Sequence, residues 1–406
     1  MRRLNLVLRN SLIIGLNPIK ISPSERMVLN KIEQLSARSG SHSPSLAAIQ
    51  LAIPEITVEI DACYLSNPLA TDLFWSYFNS DVLADPQLFK RMLEAYPSQN
   101  NAIAERLSVA IGVDADNLFI ANGATEAIQA IIHNFSSHIH INTPTFSPYY
   151  EFAGPEIQIT EFHLDPANNF TVDPEQYVES VLQSGADTAV LISPNNPDGH
   201  LIPDSDLKWI LSKLTTLRTI IVDESFIHFA DRSTPDTELP SITGITNEFN
   251  NVTVVKSMSK DFGIAGIRAG YAIMPAQRVT QLLKHGYLWN TSGIAEYFFS
   301  LFDRPEFKTE YLRELSNYKA FISKFTTATA NFDFIQAFST SANFQLMKMP
   351  DNVSAEIAAA LLLLRHGVYV RSCGDKIGLE GEYLRVSIRT EPENIKVLSA
   401  IRDVVG

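Results

Sequence analysis

After Thr57-Val58-Glu59-Ile60, short runs rich in Val, Ile and Thr alternate with stretches whose apolar residues recur every three or four positions. The short runs are too continuous for half-exposed strands and suit strands covered on both faces; the periodic stretches suit amphipathic helices. This pattern predicts strands at 138–141, 157–162, 189–192, 219–222, 252–255 and 270–273, with Leu118-Phe119-Ile120 as a further apolar run. Helical patterns at 127–135, 174–182 and 204–214 lie between them. Strands that alternate with helices need crossover connections, so the expected fold class is α/β, with a mostly parallel large-domain sheet and helices on both faces.

Beyond Asn290 the pattern changes to long helical stretches at 310–325 and 355–366, followed by strand-like 368–370 and 383–388. That is the grammar of a smaller α+β domain. Before Ile60, the spacing of Val28, Ile32 and Leu35 predicts one amphipathic helix over 23–36, followed by a Ser/Gly/His/Pro loop. The expected division is an N-terminal arm at 1–45, a large domain at 69–290, and a small domain made of 46–68 and 291–406, with a hinge near 290.

Composition narrows the partners. The 406 residues hold 32 Lys plus Arg against 45 Asp plus Glu, a net charge of −13, which repels nucleic-acid backbones and anionic lipid. The longest apolar stretch, Ile357 to Leu364, is far below the roughly 18 residues a membrane-spanning helix needs. Two cysteines, Cys63 and Cys373, fit neither a disulfide scaffold nor a thiolate metal site, so a reducing, cytoplasmic compartment and no metal are expected. The first 24 residues carry Arg2, Arg3, Arg9 and Lys20 without an acid, weakly like an organelle presequence, although a docking arm is the plainer reading.

In an open parallel sheet, ligands bind outside the carboxyl ends of the strands, so the polar residues that follow apolar runs are the candidates. Gly123-Ala124-Thr125 follows Leu118 to Asn122 and opens a helix, where free N–H groups and the dipole favour phosphate. A plain turn and cap would look the same. Ser193-Pro194-Asn195-Asn196-Pro197 follows the run 189–192 and reads alone as a turn. Asp223 ends the run 219–222, where a buried carboxylate needs a cation, whether a ligand or a structural salt bridge. Ser257-Met258-Ser259-Lys260 follows 252–255, and a desolvated lysine there suits Schiff-base chemistry, although most lysines are only solvated surface groups.

The order of these four places is specific: Asn196, Asp223 and Lys260 are separated by 27 and 37 residues, and Arg268 follows eight residues after Lys260. Over residues 60 to 400 the chain resembles the class I/II aminotransferase family of pyridoxal 5′-phosphate enzymes (fold type I), within it the histidinol-phosphate aminotransferase and threonine-phosphate decarboxylase branch. The resemblance implies that Lys260 forms a Schiff base with the cofactor and that Asp223 keeps the pyridinium nitrogen protonated. It implies that Asn196 donates to the phenolate oxygen and that Phe146 stacks on the ring. Gly123, Ala124, Thr125, Ser257, Ser259 and Arg268 would form the phosphate cup, and Tyr96 would reach the neighbouring phosphate across a homodimer interface. Arg385, in Tyr383-Leu384-Arg385-Val386-Ser387-Ile388-Arg389-Thr390, would grip the α-carboxylate of a small amino-acid substrate.

Two departures bear on the reaction. Phe226 stands where many relatives have a Tyr that donates to the phenolate oxygen, so one donor to the cofactor is lost. Arg389 stands where histidinol-phosphate aminotransferases have Gly. Together with Val370-Arg371-Ser372-Cys373 and Gly378-Leu379, it looks more like a threonine-phosphate decarboxylase, and it would bind a second anionic group or pair with an acid. That group's N-terminal His-Gly-Gly segment has no counterpart here. Transamination is the leading expectation, because it is the commonest activity in the family. The alternative is a lyase on the same scaffold, an α-decarboxylase or an elimination and cyclisation enzyme. A cofactor-binding sensor domain of a transcription regulator is disfavoured, since the arm offers one helix where a DNA-binding module needs a pair and the charge is −13.

Overall fold

The computed structural model describes residues 19–38, 43–232 and 238–406, which form two compact units. The basic segment at the start of the chain lies outside the described residues.

The larger unit, residues 66–320 with 340–343, is built on a seven-stranded sheet. In chain order its strands are β1 (Leu118–Asn122), β2 (His138–Thr143), β3 (Gln158–His163), β4 (Thr188–Ile192), β5 (Thr219–Asp223), β6 (Val252–Ser257) and β7 (Ala269–Ile273). They lie in the order β1-β7-β6-β5-β4-β2-β3, and only β7 runs against the others. This is the mixed, mostly parallel α/β sheet that the alternating pattern predicts. Every residue of β4, β5, β6 and β7 is buried, which is why these strands show no polar alternation. Crossover helices separate the parallel strands. One is Pro174–Ser184, whose Asp173 side chain accepts from Gln176 N–H at the start and whose left-handed Gly185 ends it.

The smaller unit takes the described residues up to Leu65 together with 321–339 and 344–406. Its antiparallel sheet contains β8 (Gln336–Ala337), β9 (Phe344–Lys348), β10 (Arg371–Ser372) and β11 (Tyr383–Ser387) in the order β10-β11-β9-β8. Two boundaries differ from the pattern-based division. Residues 291–320 belong with the large unit, because Phe298, Phe302, Phe307 and Tyr311 pack their rings around Phe262, and the helix Pro305–Thr329 runs unbroken past Ala320. The predicted arm helix, Pro23–Arg38, is part of the small unit. Val28, Ile32 and Leu35 cover Ile49, Ile53 and Leu363, and Glu25 pairs with Arg365 at 2.7 Å. No helix among the described residues is long and apolar enough to cross a membrane.

Candidate active site

One edge of the large sheet gathers the predicted residues. The parallel strands deliver their carboxyl ends there, so Asp223 closes β5 opposite Ile192 of β4 and Val255 of β6. The antiparallel β7 begins at the same edge, where Ser257 pairs with Gly270 and Asn122 with Ala269. This places Gly123, Asn196, Asp223, Ser257, Lys260 and Arg268 around one rim, as the switch-point rule requires.

Whether this rim suits pyridoxal phosphate is tested by Gly123. Its φ is +75°, and a Cβ there would come within 2.6 Å of Arg268 Nη2, so the glycine leaves space directly beneath a guanidinium. A Cβ on Gly270 would fall 2.5 Å from Ala124 N. The helix Gly123–Phe135 starts here with no side chain capping it, so the N–H groups of Gly123, Ala124 and Thr125 and the helix dipole face an Arg-lined recess. Arg268 itself is left-handed, with φ of +64°, and Nη1 donates to Ala265 O at 2.9 Å. Ser257 caps the Lys260 turn by accepting from Ser259 N–H at 3.3 Å. A phosphate fits this donor set.

Asp223 suits the other end of the cofactor. It is buried, and its carboxylate accepts from Ser225 N–H and from the Tyr149 hydroxyl, each at 2.9 Å. Burial pushes its pKa up despite these donors and the more distant Lys256 ammonium, so a nearby cation such as a pyridinium would be stabilised strongly. Asn196 is buried in the loop after β4. Its neighbour Asn195 donates to Pro144 O at 3.0 Å and to the Asp198 carboxyl, tying that loop to the segment that carries Phe146. Phe146 is half-buried and meets Tyr149 edge to face at 6.5 Å between centroids. Phe226 is buried at the turn after Asp223 and has no hydroxyl to offer. Tyr96 stays outside this group, 88% exposed beside Trp289.

In the small unit, Arg385 on β11 lies directly opposite Arg371 on β10. Arg385 donates to Cys63 O at 3.1 Å, with its guanidinium 5.5 Å from the Phe344 ring centroid, and Arg371 pairs with Asp375 at 2.7 Å. Lys376 joins them, its pKa lowered to about 8 by burial and by both arginines. Arg371, Arg385 and Lys376 thus share a largely buried patch with the carboxylates of Asp375 and Glu356. Arg389, four residues after Arg385, has its Nε 3.8 Å from Glu393. A mostly apolar cavity of about 430 Å³ beneath Pro23–Arg38 reaches this patch at Arg371.

Tyr149, Asn195, Arg371 and Lys376 are functional candidates that the motif reading did not place. Tyr149 had a readable signal, an aromatic three residues after Phe146 in a loop at a strand's carboxyl end. Lys376 had none, since nothing near it in the chain marks it as buried. Among the described residues no group of three or more His, Cys, Asp and Glu could hold a metal ion.

A mostly parallel sheet whose central strands are fully buried, with this rim, defines a pyridoxal-phosphate enzyme of fold type I. The sequence model of the aminotransferase class I and II family matches residues 83–401, and the chain belongs to that family. Within it the chain is 44% identical to the L-serine phosphate decarboxylase of Campylobacter jejuni over 387 residues, 95% of this chain and 99% of that protein. A solved decarboxylase from Sulfurospirillum multivorans superposes with a TM-score of 0.87 at 35% identity, covering 95% and 99% of the two chains. The histidinol-phosphate aminotransferase of Clostridium acetobutylicum superposes with a TM-score of 0.74 at 26% identity, covering 85% and 98%.

Proposed function

We propose that this enzyme is a lyase that removes the α-carboxylate of an O-phosphorylated amino acid, with L-serine phosphate as the leading substrate. The observation that carries this reading is the opposed pair Arg371 and Arg385 with Lys376. Like charges directly across an antiparallel ladder are destabilising by themselves, and burial makes the repulsion worse. An anion with a carboxylate and a phosphate group relieves it. An amino acid without the phosphate offers only the carboxylate, well under half of that charge. The two decarboxylases named above, which are more similar to this chain than the aminotransferase, favour the same alternative, so transamination, the leading expectation from the family as a whole, gives way to decarboxylation.

Each residue then has a task. Gly123, Ala124, Thr125, Ser257, Ser259 and Arg268 hold the cofactor phosphate, Asp223 the ring nitrogen, Asn196 the phenolate oxygen, and Phe146 the ring face. When bound, pyridoxal phosphate supplies a sink for the electron pair left at Cα as carbon dioxide departs. Arg385 orients the α-carboxylate through two parallel hydrogen bonds, and Arg371 with Lys376 takes the substrate phosphate. Lys260 Nζ holds the proton that replaces the carboxylate on Cα. The absence of a hydroxyl at Phe226 supports a departure from transaminase tuning of the cofactor.

The test is to incubate the holoenzyme with L-serine phosphate, with and without 2-oxoglutarate. Release of carbon dioxide and ethanolamine phosphate in equal amounts, with no glutamate, is expected. Glutamate formation without carbon dioxide would overturn the reading in favour of transamination.

A further inference from the structure

Behind the turn that carries Lys260 lies a buried ionic cluster with no part in the phosphate cup or the ring contacts. Asp261, the next residue, is fully buried and ion-pairs with Lys256 at the end of β6. The same carboxylate oxygen is 3.3 Å from His228 Nδ1, and that nitrogen is 2.6 Å from the Tyr311 hydroxyl. Lys256 Nζ also donates to Glu224 O at 3.2 Å, while the Glu224 carboxylate accepts from Ser241 and from Ile242 N–H. The Phe262 ring stacks on Tyr311 at 4.0 Å between centroids. Residues 256, 261 and 262 are therefore pinned to the turn that follows Asp223 and to the helix Pro305–Thr329. Lys260 sits between the pinned positions.

The charges in this cluster do not balance locally. Leaving Lys260 aside, Glu224 and Asp261 share the Lys256 ammonium. Burial, with Lys256 and Lys319 nearby, keeps His228 neutral, and burial keeps Tyr271 and Tyr311 protonated beside Asp261. Arg232 acts on Glu224 from further away. Burial pushes the Asp261 carboxyl up to about 7, against the pull of Lys256 and of Lys260. Replacing such buried charges by apolar groups is often neutral or stabilising, so folding alone gives no reason to keep a carboxylate here.

We propose that Asp261 is a positioning residue for Lys260: its carboxylate, paired with Lys256, holds the turn in place and favours a cationic Lys260 side chain. This rests on the assignment of Lys260 as the lysine that carries the cofactor. The same contacts join the Lys260 turn to the strand end that carries Asp223, so the two groups that would address opposite ends of the reacting system share one rigid support.

The test uses the cofactor-free protein and the isosteric change Asp261→Asn, which leaves Glu224 as counter-ion to Lys256. Lysine reactivity is followed by competitive acetylation and peptide mass spectrometry above pH 7, where the Asp261 carboxyl is ionised. The pH midpoint at which Lys260 becomes reactive is expected to fall by about one unit, a roughly tenfold change, with the lysines outside the cluster unmoved; Lys256, the direct partner of Asp261, falls as well and is not used as a reference. Asp261→Glu, which keeps the charge, is expected to hold the wild-type midpoint. An unmoved midpoint in the amide variant overturns the proposal, as does an equal fall in the Glu variant. Where circular dichroism shows the amide variant unfolded, Asp261→Ser is read in the same way. Borohydride reduction of the holoenzyme separates the two failures: an adduct on another lysine removes the assignment of Lys260, whereas an adduct on Lys260 with an unmoved midpoint removes only the role of Asp261.

Discussion

For Asp223 to hold a cationic ring nitrogen it must be a carboxylate, and its burial opposes that. The Ser225 hydroxyl, the Ser225 N–H and the Tyr149 hydroxyl are the close donors that offset burial. Removing one donor to a buried charged acceptor costs about 1.5–3 kcal/mol, roughly a tenfold to hundredfold weaker interaction. Tyr149→Phe should therefore raise the dissociation constant for pyridoxal phosphate at neutral pH by about tenfold or more. The sign of the pH effect follows. The folded-state pKa of Asp223 is already above its ordinary value, and losing the hydroxyl raises it further, so the ionised form disappears at a higher pH on acidification. The acid limb of the affinity profile, read by fluorescence titration of the cofactor-free protein, should move to higher pH in the variant. An unchanged limb would reduce Tyr149 to a packing residue. The sequence exposed Asp223 because a carboxylate directly after the β-branched run Thr219-Ile220-Ile221-Val222 is conspicuous, whereas Tyr149 reaches it from 74 residues away only because β2, β4 and β5 lie side by side.

At the scale of elements, the strands were legible where burial is complete. Runs such as Thr219–Asp223 are buried throughout, with the apolar centre Ile220-Ile221-Val222, because both faces are covered, and their observed bounds lie within two residues of the predicted ones. The rim of the large sheet could be foreseen for the same reason: polar residues at the ends of such runs have few places to go. The small unit was harder to read, because its strands are short and its cations gather through the β10 and β11 ladder and not through a motif. Arg371 and Arg385 are 14 positions apart in the chain yet directly opposite each other in space. That pairing carries a prediction. Arg371→Gln removes a charge-assisted contact to the substrate phosphate and should raise KM for L-serine phosphate by about tenfold to hundredfold. The rate at saturation should change much less, since the contact is the same before and during the reaction. A fall in kcat with KM unchanged, in steady-state carbon dioxide release, would place Arg371 elsewhere in the mechanism.

For the molecule as a whole, the question is what covers the large unit's apolar surface. Leu93, Tyr96, Leu288 and Trp289 are 68%, 88%, 42% and 53% exposed, and the Tyr96 and Trp289 rings lie 6.1 Å apart. Trp289 adopts φ of +55°, a left-handed conformation that is uncommon for a bulky side chain and holds the ring at the surface. Two copies of a chain with a charge of −13 repel each other, so association would have to draw on apolar burial of this kind. We therefore expect a homodimer in which this patch is buried, with Tyr96 directed to the cofactor phosphate held by the other copy. Light scattering should report twice the chain mass for the wild type and a single chain for the double variant Tyr96→Asp, Trp289→Asp. Tyr96→Phe should remain dimeric yet bind pyridoxal phosphate more weakly, by about tenfold or more, since it removes one hydrogen bond to a charged phosphate, about 1.5–3 kcal/mol. A wild-type monomer would remove both expectations, and a dimeric Tyr96→Phe variant with unchanged affinity would leave Tyr96 as an interface residue alone.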